Sequence, residues 1–189
     1  MNSIIESKRI YLRSFRPSDY TDLYEYLSLE EVVKYEPYSV LTLAECHEEV
    51  IKRSKNNSYY AIILKSENKL IGNVYFAQKQ PYRFRTYELG YILNPKYQHQ
   101  GYATEATETI LNYGFSNMKI HRVIANCNQE NLSSINLLER LGMRREQTSK
   151  KDIFFHYSDS GEPIWLNNYM YAILEEEFFA KIHQPDRFS

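Results

Sequence analysis

YELGYILNPKYQHQGYATEA, residues 87–106, decides how this chain is read. Its first half alternates apolar and polar residues, as a strand does, and stops at Asn94-Pro95. Its second half opens a helix, because Ala103, Ala106, Thr107, Ile110, Leu111 and Gly114 recur at helical spacing on one face. Between the two, one of only six glycines, Gly101, stands among glutamines. A helix N-terminus carries unpaired N–H groups and a partial positive charge, which together favour an anion. Gly101 has no Cβ, so the chain can turn tightly there and let a phosphate approach the backbone. Ala103 keeps the helix mouth uncluttered. Successive N–H groups from about Gln100 to Thr104 would then wrap a pyrophosphate without any lysine. The usual nucleotide patterns GxxxxGK and GxGxxG are absent. Taken alone, Gly101 also has a plainer use, which is to relieve a tight strand-to-helix turn.

RVIANC (122–127) follows the helix and reads as a short strand. With the strand at 86–93 and the helix at 103–116 it makes a βαβ unit, so the two strands should run parallel with a right-handed crossover. Ligands of such units sit beyond the carboxyl ends of the strands, where Gly101 lies. Upstream, RIYLRSF (9–15) is a first strand, and Pro17 and Ser18 open a helix whose Tyr20, Leu23, Tyr24 and Leu27 share a face. A second helical zone starts near Glu30, breaks at Glu36-Pro37 and resumes from Thr42 to about Ser54. Residues 35–41 are therefore an exposed connection. YYAIILK (59–65) and LIGNVYFAQ (70–78) form a hairpin about SENK. Downstream, Ile135, Leu138 and Leu141 mark a short helix capped by Gly142. Two strands at about 143–157 and 164–174 flank SDSGEP, and EEEFFAK is helical. No repeat or linker interrupts this mixed α/β pattern. The expectation is a single domain over 1–182 with a tail at 183–189.

A chain of 189 residues can bury one sizeable core. Its net charge of -1 gives no electrostatic reason to expect nucleic acid or an anionic membrane. The two cysteines, Cys46 and Cys127, form no CxxC pair, which fits a reduced, cytoplasmic compartment. MNSIIESKRI lacks the apolar centre of a secretory signal, and the longest apolar runs are strand-sized. Eighteen tyrosines fit sheet packing with hydroxyls at the surface. The five histidines show no metal-ligand spacing, since HEE at 47–49 is not HExxH, and no metal is expected. Cys127 has only His121 nearby as a conceivable activating partner, so it reads as a buried structural thiol.

Gln98-x-x-Gly101-x-Ala103 resembles the (Arg/Gln)-x-x-Gly-x-(Gly/Ala) pyrophosphate loop of the GNAT superfamily of N-acetyltransferases. Residues 87–106 are similar to the strand, loop and helix of the branch that includes ribosomal-protein-alanine N-acetyltransferases. NLSSINLLERLGM (131–143) resembles that branch's Asn-x-x-Ser…Glu-(Lys/Arg)-Leu-Gly-Phe segment, with Met143 in place of the phenylalanine. RIYLRSFRPSDY and the stretch from Trp165 to Leu174 fit as well, so the resemblance spans about 9–178. It implies a GNAT fold: a central, mostly antiparallel twisted sheet with one parallel βαβ unit splayed around the cofactor. It also implies acetyl-CoA as cosubstrate and a primary amine as acceptor, foremost a protein N-terminal α-amine. A small amine (aminoglycoside, polyamine or amino-acid derivative) and a non-catalytic acetyl-CoA-binding domain are the alternatives. The expected partners are that acceptor and a homodimer mate.

The resemblance assigns residues too. Backbone groups of Tyr91, Ile92 and Leu93 would pair with pantetheine, while Gln98, His99, Gln100, Gly101, Tyr102, Ala103 and Thr104 hold the pyrophosphate. Asn131 would reach the pantetheine, with Ser134 near the nucleotide end and Asn136 ranked below. Asn131 or Ser133 would serve equally as the N-cap of the helix from Ser134. Glu88 is the candidate base, since several family members carry a catalytic glutamate near this place. Its plainer reading is a surface ion pair with Arg83 or Arg85. A backbone N–H of the Tyr91–Leu93 strand would be the oxyanion donor. Many GNAT enzymes carry a tyrosine acid seven residues after the asparagine, but this chain has Leu138 there. Ser134, another tyrosine or water must replace it, or the thiolate leaves unaided, its pKa being about 8.5 by analogy with cysteine. The acceptor site is expected between residues 30–41 and 153–165, with Glu36, Tyr38, Tyr157, Asp159 and Trp165 as liners.

Overall fold

The computed structural model describes residues 4–182, so the expected tail at 183–189 lies outside the described residues. Eight strands form one sheet in the order β1-β2-β3-β4-β5-β6-β8-β7. They are β1 (Ile5–Glu6), β2 (Ile10–Arg13), β3 (Tyr59–Leu64), β4 (Lys69–Gln78), β5 (Thr86–Leu93), β6 (Arg122–Asn128), β7 (Arg144–Tyr157) and β8 (Pro163–Leu174). The helices are α1 (Tyr20–Leu27), α2 (Glu30–Val33), α3 (Leu43–Ser54), α4 (Tyr102–Asn117), α5 (Leu132–Arg140) and α6 (Glu175–Ile182). Every strand pair is antiparallel except β5 and β6.

Strand alternation sends side chains to two cores, one on each face of the sheet. On β3, Tyr60, Ile62 and Leu64 meet the α4 face, while Ala61 and Ile63 meet α1 and α3. The stripe read on α4 is buried through Ala106, Thr107, Ile110, Leu111, Gly114 and Phe115. Gly114 lets the helix press onto the sheet, since a Cβ there would stand 2.7 Å from Ile120 Cδ1 and 3.0 Å from Phe76 Cζ. On the opposite face α1 contributes Leu23, Tyr26 and Leu27, and α3 contributes Cys46 and Val50. Thr42 and Glu45 close a capping box at the start of α3.

The short β1 carries too few residues to show alternation and had no signature in the sequence. α2 is a single turn (four residues) that ends at Val33, short of the Glu36-Pro37 break expected from the sequence.

The parallel pair decides where a ligand can lie. β5 and β6 are in register only at Thr86↔Arg122, Tyr87↔Val123 and Glu88↔Ile124. Beyond that point each strand stays with its other neighbour. β5 follows β4 as far as Gly72↔Leu93, and β6 follows β8 as far as Asn128↔Asn168. The two strands therefore fork after Glu88, leaving the β6-facing edge of residues 89–93 without a ladder partner.

Candidate active site

Beyond the fork, residues 94–101 turn the chain from β5 into α4. Asn94 is buried, and its Oδ1 accepts from Lys96 N–H. Gln98 Nε2 donates to the Leu93 carbonyl at 3.2 Å and Gln100 Nε2 to the Lys96 carbonyl at 3.1 Å, so both glutamine side chains brace the loop itself. His99 (φ 59) and Gly101 (φ 82) adopt left-handed backbone on either side of Gln100. No side chain caps α4. Among the described residues, the backbone N–H groups of His99, Gln100, Gly101, Tyr102, Ala103 and Thr104 have no hydrogen-bond acceptor in the protein. A run of N–H groups alternating in this way is a concave anion cradle. It suits the pyrophosphate expected from the sequence.

Two arginines that local sequence gave no reason to single out stand at this mouth. Arg9, before β2, pairs through Nε with Glu105 at 2.7 Å, donates to the Gln100 carbonyl at 2.9 Å and lies 4.4 Å over the Tyr102 ring. Against the burial that raises it, Arg9 and Ser7 hold the Glu105 carboxyl below its ordinary range. Arg140, at the end of α5, donates to Thr104 Oγ1 at 3.2 Å. Ninety-six residues separate Arg9 from Glu105, so only the folded chain brings them together.

Inside the fork a tyrosine side chain reaches from β5 to α5. The Tyr91 hydroxyl lies 2.8 Å from Ser134 Oγ and 3.2 Å from the Ser134 carbonyl. Burial raises its pKa above the ordinary tyrosine value, so it stays protonated. Burial pushes the nearby Cys127 thiol up to about 11, against a lowering by Ser134. Cys127 is thus a thiol at neutral pH and a poor nucleophile. Asn131 Oδ1 accepts from Ser134 N–H at 3.1 Å, which is the capping role. Leu138 is fully buried, so the usual tyrosine position faces the core.

Glu88 sits at the last paired position before the fork, sharing a face with Gly90 and Ile92. Its partners are Lys79 at 2.7 Å and Asn126 Nδ2 at 2.9 Å, and not Arg83 or Arg85. The β4–β5 register (Gln78↔Tyr87, Ala77↔Glu88) makes Lys79 a diagonal neighbour, which a hairpin reading across 79–85 would have revealed. Arg83, Arg85, His121 and Arg122 line a basic pocket at the other end of the pair, away from residues 98–104. A Cβ on Gly90 would meet only Tyr75, at an ordinary 3.5 Å, so space remains beside Glu88.

Of the expected acceptor liners, Glu36 and Tyr38 are half-buried below the α2–α3 connection, and Tyr38 packs against the core cluster that Ile92 joins. Tyr157 and Trp165 are exposed and make their ring contacts with Phe154 inside the β7–β8 hairpin. Asp159 lies in the turn of that hairpin, also exposed. Among the described residues no group of three or more His, Cys, Asp or Glu is placed to hold a metal ion, and no helix is long and apolar enough to cross a membrane.

A forked parallel pair with an uncapped helix mouth at its carboxyl end suits a phosphate-bearing cosubstrate such as an acyl-CoA. Residues 9–144 match the model of the acetyltransferase (GNAT) domain, and the chain belongs to that family. It is an N-acetyltransferase, and enzymes of the family carry an acetyl group from acetyl-CoA to an amine.

The chain is 40% identical over 178 residues to the uncharacterized N-acetyltransferase YnaD of Bacillus subtilis, covering 92% of this chain and 98% of that one. A crystal structure of a GNAT-family acetyltransferase from Bacillus anthracis is 39% identical with a TM-score of 0.84, covering 93% and 100%. The ribosomal protein uS5-alanine N-acetyltransferase of Escherichia coli is 32% identical over 92 residues, 49% of this chain and 47% of that one. A spermidine N-acetyltransferase from Vibrio cholerae, solved with CoA and spermine, shares the fold at a TM-score of 0.75 and 19% identity, covering 92% and 99%.

Proposed function

We propose that this enzyme acetylates a protein N-terminal α-amine, with both substrates bound together. The observation that carries the acetyl-CoA half is the run of six acceptor-free N–H groups closing a forked strand pair. Gln98 to Thr104, with Arg9 and Arg140 beside them, would hold the pyrophosphate. The free edge of β5 at Tyr91, Ile92 and Leu93 would hold the pantetheine arm, and Asn131 would border it. Acetyl-CoA supplies an activated acyl group and a leaving thiolate. The remaining tasks fall to the chain.

Glu88 would take the acceptor's proton, directly or through one water, Lys79 moving aside to free its carboxylate. An α-amine, with a pKa of about 7.7–8.0, asks less of this base than a lysine near 10.4. A β5 N–H would polarise the acyl carbonyl. Ser134, aligned by Tyr91, would donate a hydrogen bond to the departing sulfur. Tyr91 is too weak an acid to hand over its own proton readily, but it keeps the pair loaded.

Support for the α-amine comes from the likeness to the uS5-alanine enzyme across 92 residues. A small amine is the second reading, supported by the shared fold with the spermidine enzyme. The test is thiol release from acetyl-CoA with peptides bearing a free N-terminal alanine or serine, the same peptides blocked, and small amines. Release that needs the free N-terminus supports the proposal, whereas release only with small amines overturns the α-amine. Tight acetyl-CoA binding with no amine-dependent release would mark a domain that binds without turnover.

A further inference from the structure

On the α1–α3 side of the sheet, toward which Glu88 points by strand alternation, the connection between α2 and α3 carries another carboxylate, Glu36, whose surroundings are unlike those of Glu88. Glu36 lies within electrostatic reach of a buried polar group built from four elements. Arg53 of α3 is at its centre, 2% exposed, stacked 4.8 Å from the Tyr59 ring and 5.6 Å from the Phe15 ring. Arg53 Nε donates to Glu49 at 2.8 Å and its Nη1 to Asn73 Oδ1 at 3.1 Å, the same oxygen that accepts from the Tyr26 hydroxyl. The Tyr38 hydroxyl stands near enough to the Arg53 guanidinium for that cation to oppose the rise that burial gives its pKa. Asn73 lies opposite Ile92 on β5, beyond the fork.

Counting charge in this group gives one cation, Arg53, already balanced by Glu49, whose outer oxygen faces the exposed Lys52 at 4.0 Å. Glu36 is left over. Among the described residues its carboxylate has no ion pair and no hydrogen bond, although it feels Arg53, Tyr38 and Tyr59. Tyr26, Cys46 and Tyr75 join the same group through Arg53, Tyr38 or Tyr59, and none of them is a cation. A half-buried carboxylate lacking a counter-ion is partly desolvated at some cost while still reachable from solvent, and a bound cation offsets that cost. Tyr38 and Tyr59 supply aromatic surface of the kind that favours an ammonium. Glu88, by contrast, already has Lys79.

We propose that Glu36 is the subsite for a second positive charge on the acceptor, one that does not react, while the amine to be acetylated goes to Glu88. The acceptor is then a molecule with at least two cationic groups: a basic N-terminal peptide segment or a diamine. This rests on the transferase reading above and narrows it. Burial raises the Glu36 pKa to about 7, with Arg53 opposing, so the subsite charges as pH rises through neutrality. About a tenth of it is ionised one unit below that value and about nine-tenths one unit above. Selection for the second cation should strengthen roughly tenfold from pH 6 to 8.

The experiment has two arms. In the first, peptides differing only in lysine or glutamine near the N-terminus, and alkylamines with or without a terminal trimethylammonium group, are compared as acceptors. The wild type should show a KM at least tenfold lower for the cationic member of each pair, with kcat little changed, and E36Q should lose that ratio. An E36Q enzyme that keeps the ratio overturns the subsite. In the second arm, binding of butyltrimethylammonium is measured by calorimetry at pH 6 and 8, without acetyl-CoA. Wild type should bind about tenfold tighter at pH 8, while E36Q should bind weakly and equally at both. Equal binding by wild type and E36Q overturns the proposal even if no acceptor is ever acetylated. Loss of thiol release with every amine, while Glu36-dependent cation binding persists, sinks the transferase reading and leaves the cation subsite standing. Folding is checked by melting. The folded-state pKa of Glu36 is raised, so the wild type loses stability as pH climbs from the unfolded value of 4.5 through about 7, and E36Q should escape that loss.

Discussion

The two substrate ends of this fold are built from different material. At the proposed acetyl-CoA end the groups on offer are backbone N–H groups of residues 99–104 and the free edge of β5, with side chains such as Gln98 and Gln100 holding the loop in shape. At the proposed acceptor end they are side chains from four or more elements: Glu88 with Lys79 and Asn126, and Glu36 within electrostatic reach of the Arg53, Asn73 and Tyr26 group. A backbone site depends on where the chain turns, and tolerates many residue changes that keep the turn. A side-chain site depends on each group and its charge balance, so a single substitution can redirect it.

The sharpest way to break this comparison is at Glu88. E88Q keeps the shape and the Asn126 contact but cannot take a proton, and kcat should fall by about 10²–10⁴ at neutral pH with acetyl-CoA affinity unchanged. The loss should shrink at alkaline pH, where solvent deprotonates more of the amine. Stopped-flow thiol detection across pH 6–10 reads this directly, and a flat, wild-type-like kcat would make Glu88 an ordinary strand carboxylate.

At the backbone end the corresponding change is G101V. Acetyl-CoA at a hundredfold excess over Kd should stabilise the wild type by about 2.7 kcal/mol, or roughly 5–10 °C for a chain of this length. G101V forces a β-branched residue into φ 82 against Arg9, and the shift should vanish. A G101V protein that folds and is stabilised as much as the wild type would remove residues 98–104 from the site.

Smaller effects refine the middle of the fork. Y91F removes the hydroxyl that aligns Ser134, and kcat should drop about tenfold, the worth of one hydrogen bond. S134A should match it, and the double variant should lose little more, because the two act as one unit. C127A should leave kcat within about twofold, since the thiol is protonated and buried. A trapped acetyl-Cys127 that turned over on adding amine would instead require a covalent route.

Nearly the whole element order could be read along the chain, because amphipathic periods and turn residues are local properties. The interruption at Glu36-Pro37 and the C-cap at Gly142 follow from single residues, and Gly142 indeed has φ 83. The capping of α5 by Asn131 was one of two readings that local sequence left open, and geometry shows the cap. Lys79 as the partner of Glu88 was missed because residues 79–85 were not taken as the turn joining β4 to β5. The arginines at the phosphate mouth and the cluster below Glu36 have no local pattern at all.

The sequence by itself determined the strand-loop-helix segment and the acceptor-free N–H groups that such a turn must expose, while the expectation of acetyl-CoA came from the family resemblance of that segment. Those features arise from dihedral angles and helix termini that a dozen consecutive residues control. Only the tertiary structure decided which strands part, which tyrosine spans the fork to Ser134, and which carboxylate has a counter-ion and which has none. Arg53 and Asn73 are brought together by the packing of α3 against β4, and Glu88 and Asn126 by the pairing of β5 with β6. The partial burial that raises the Glu36 pKa belongs to packing between elements and not to any stretch of chain.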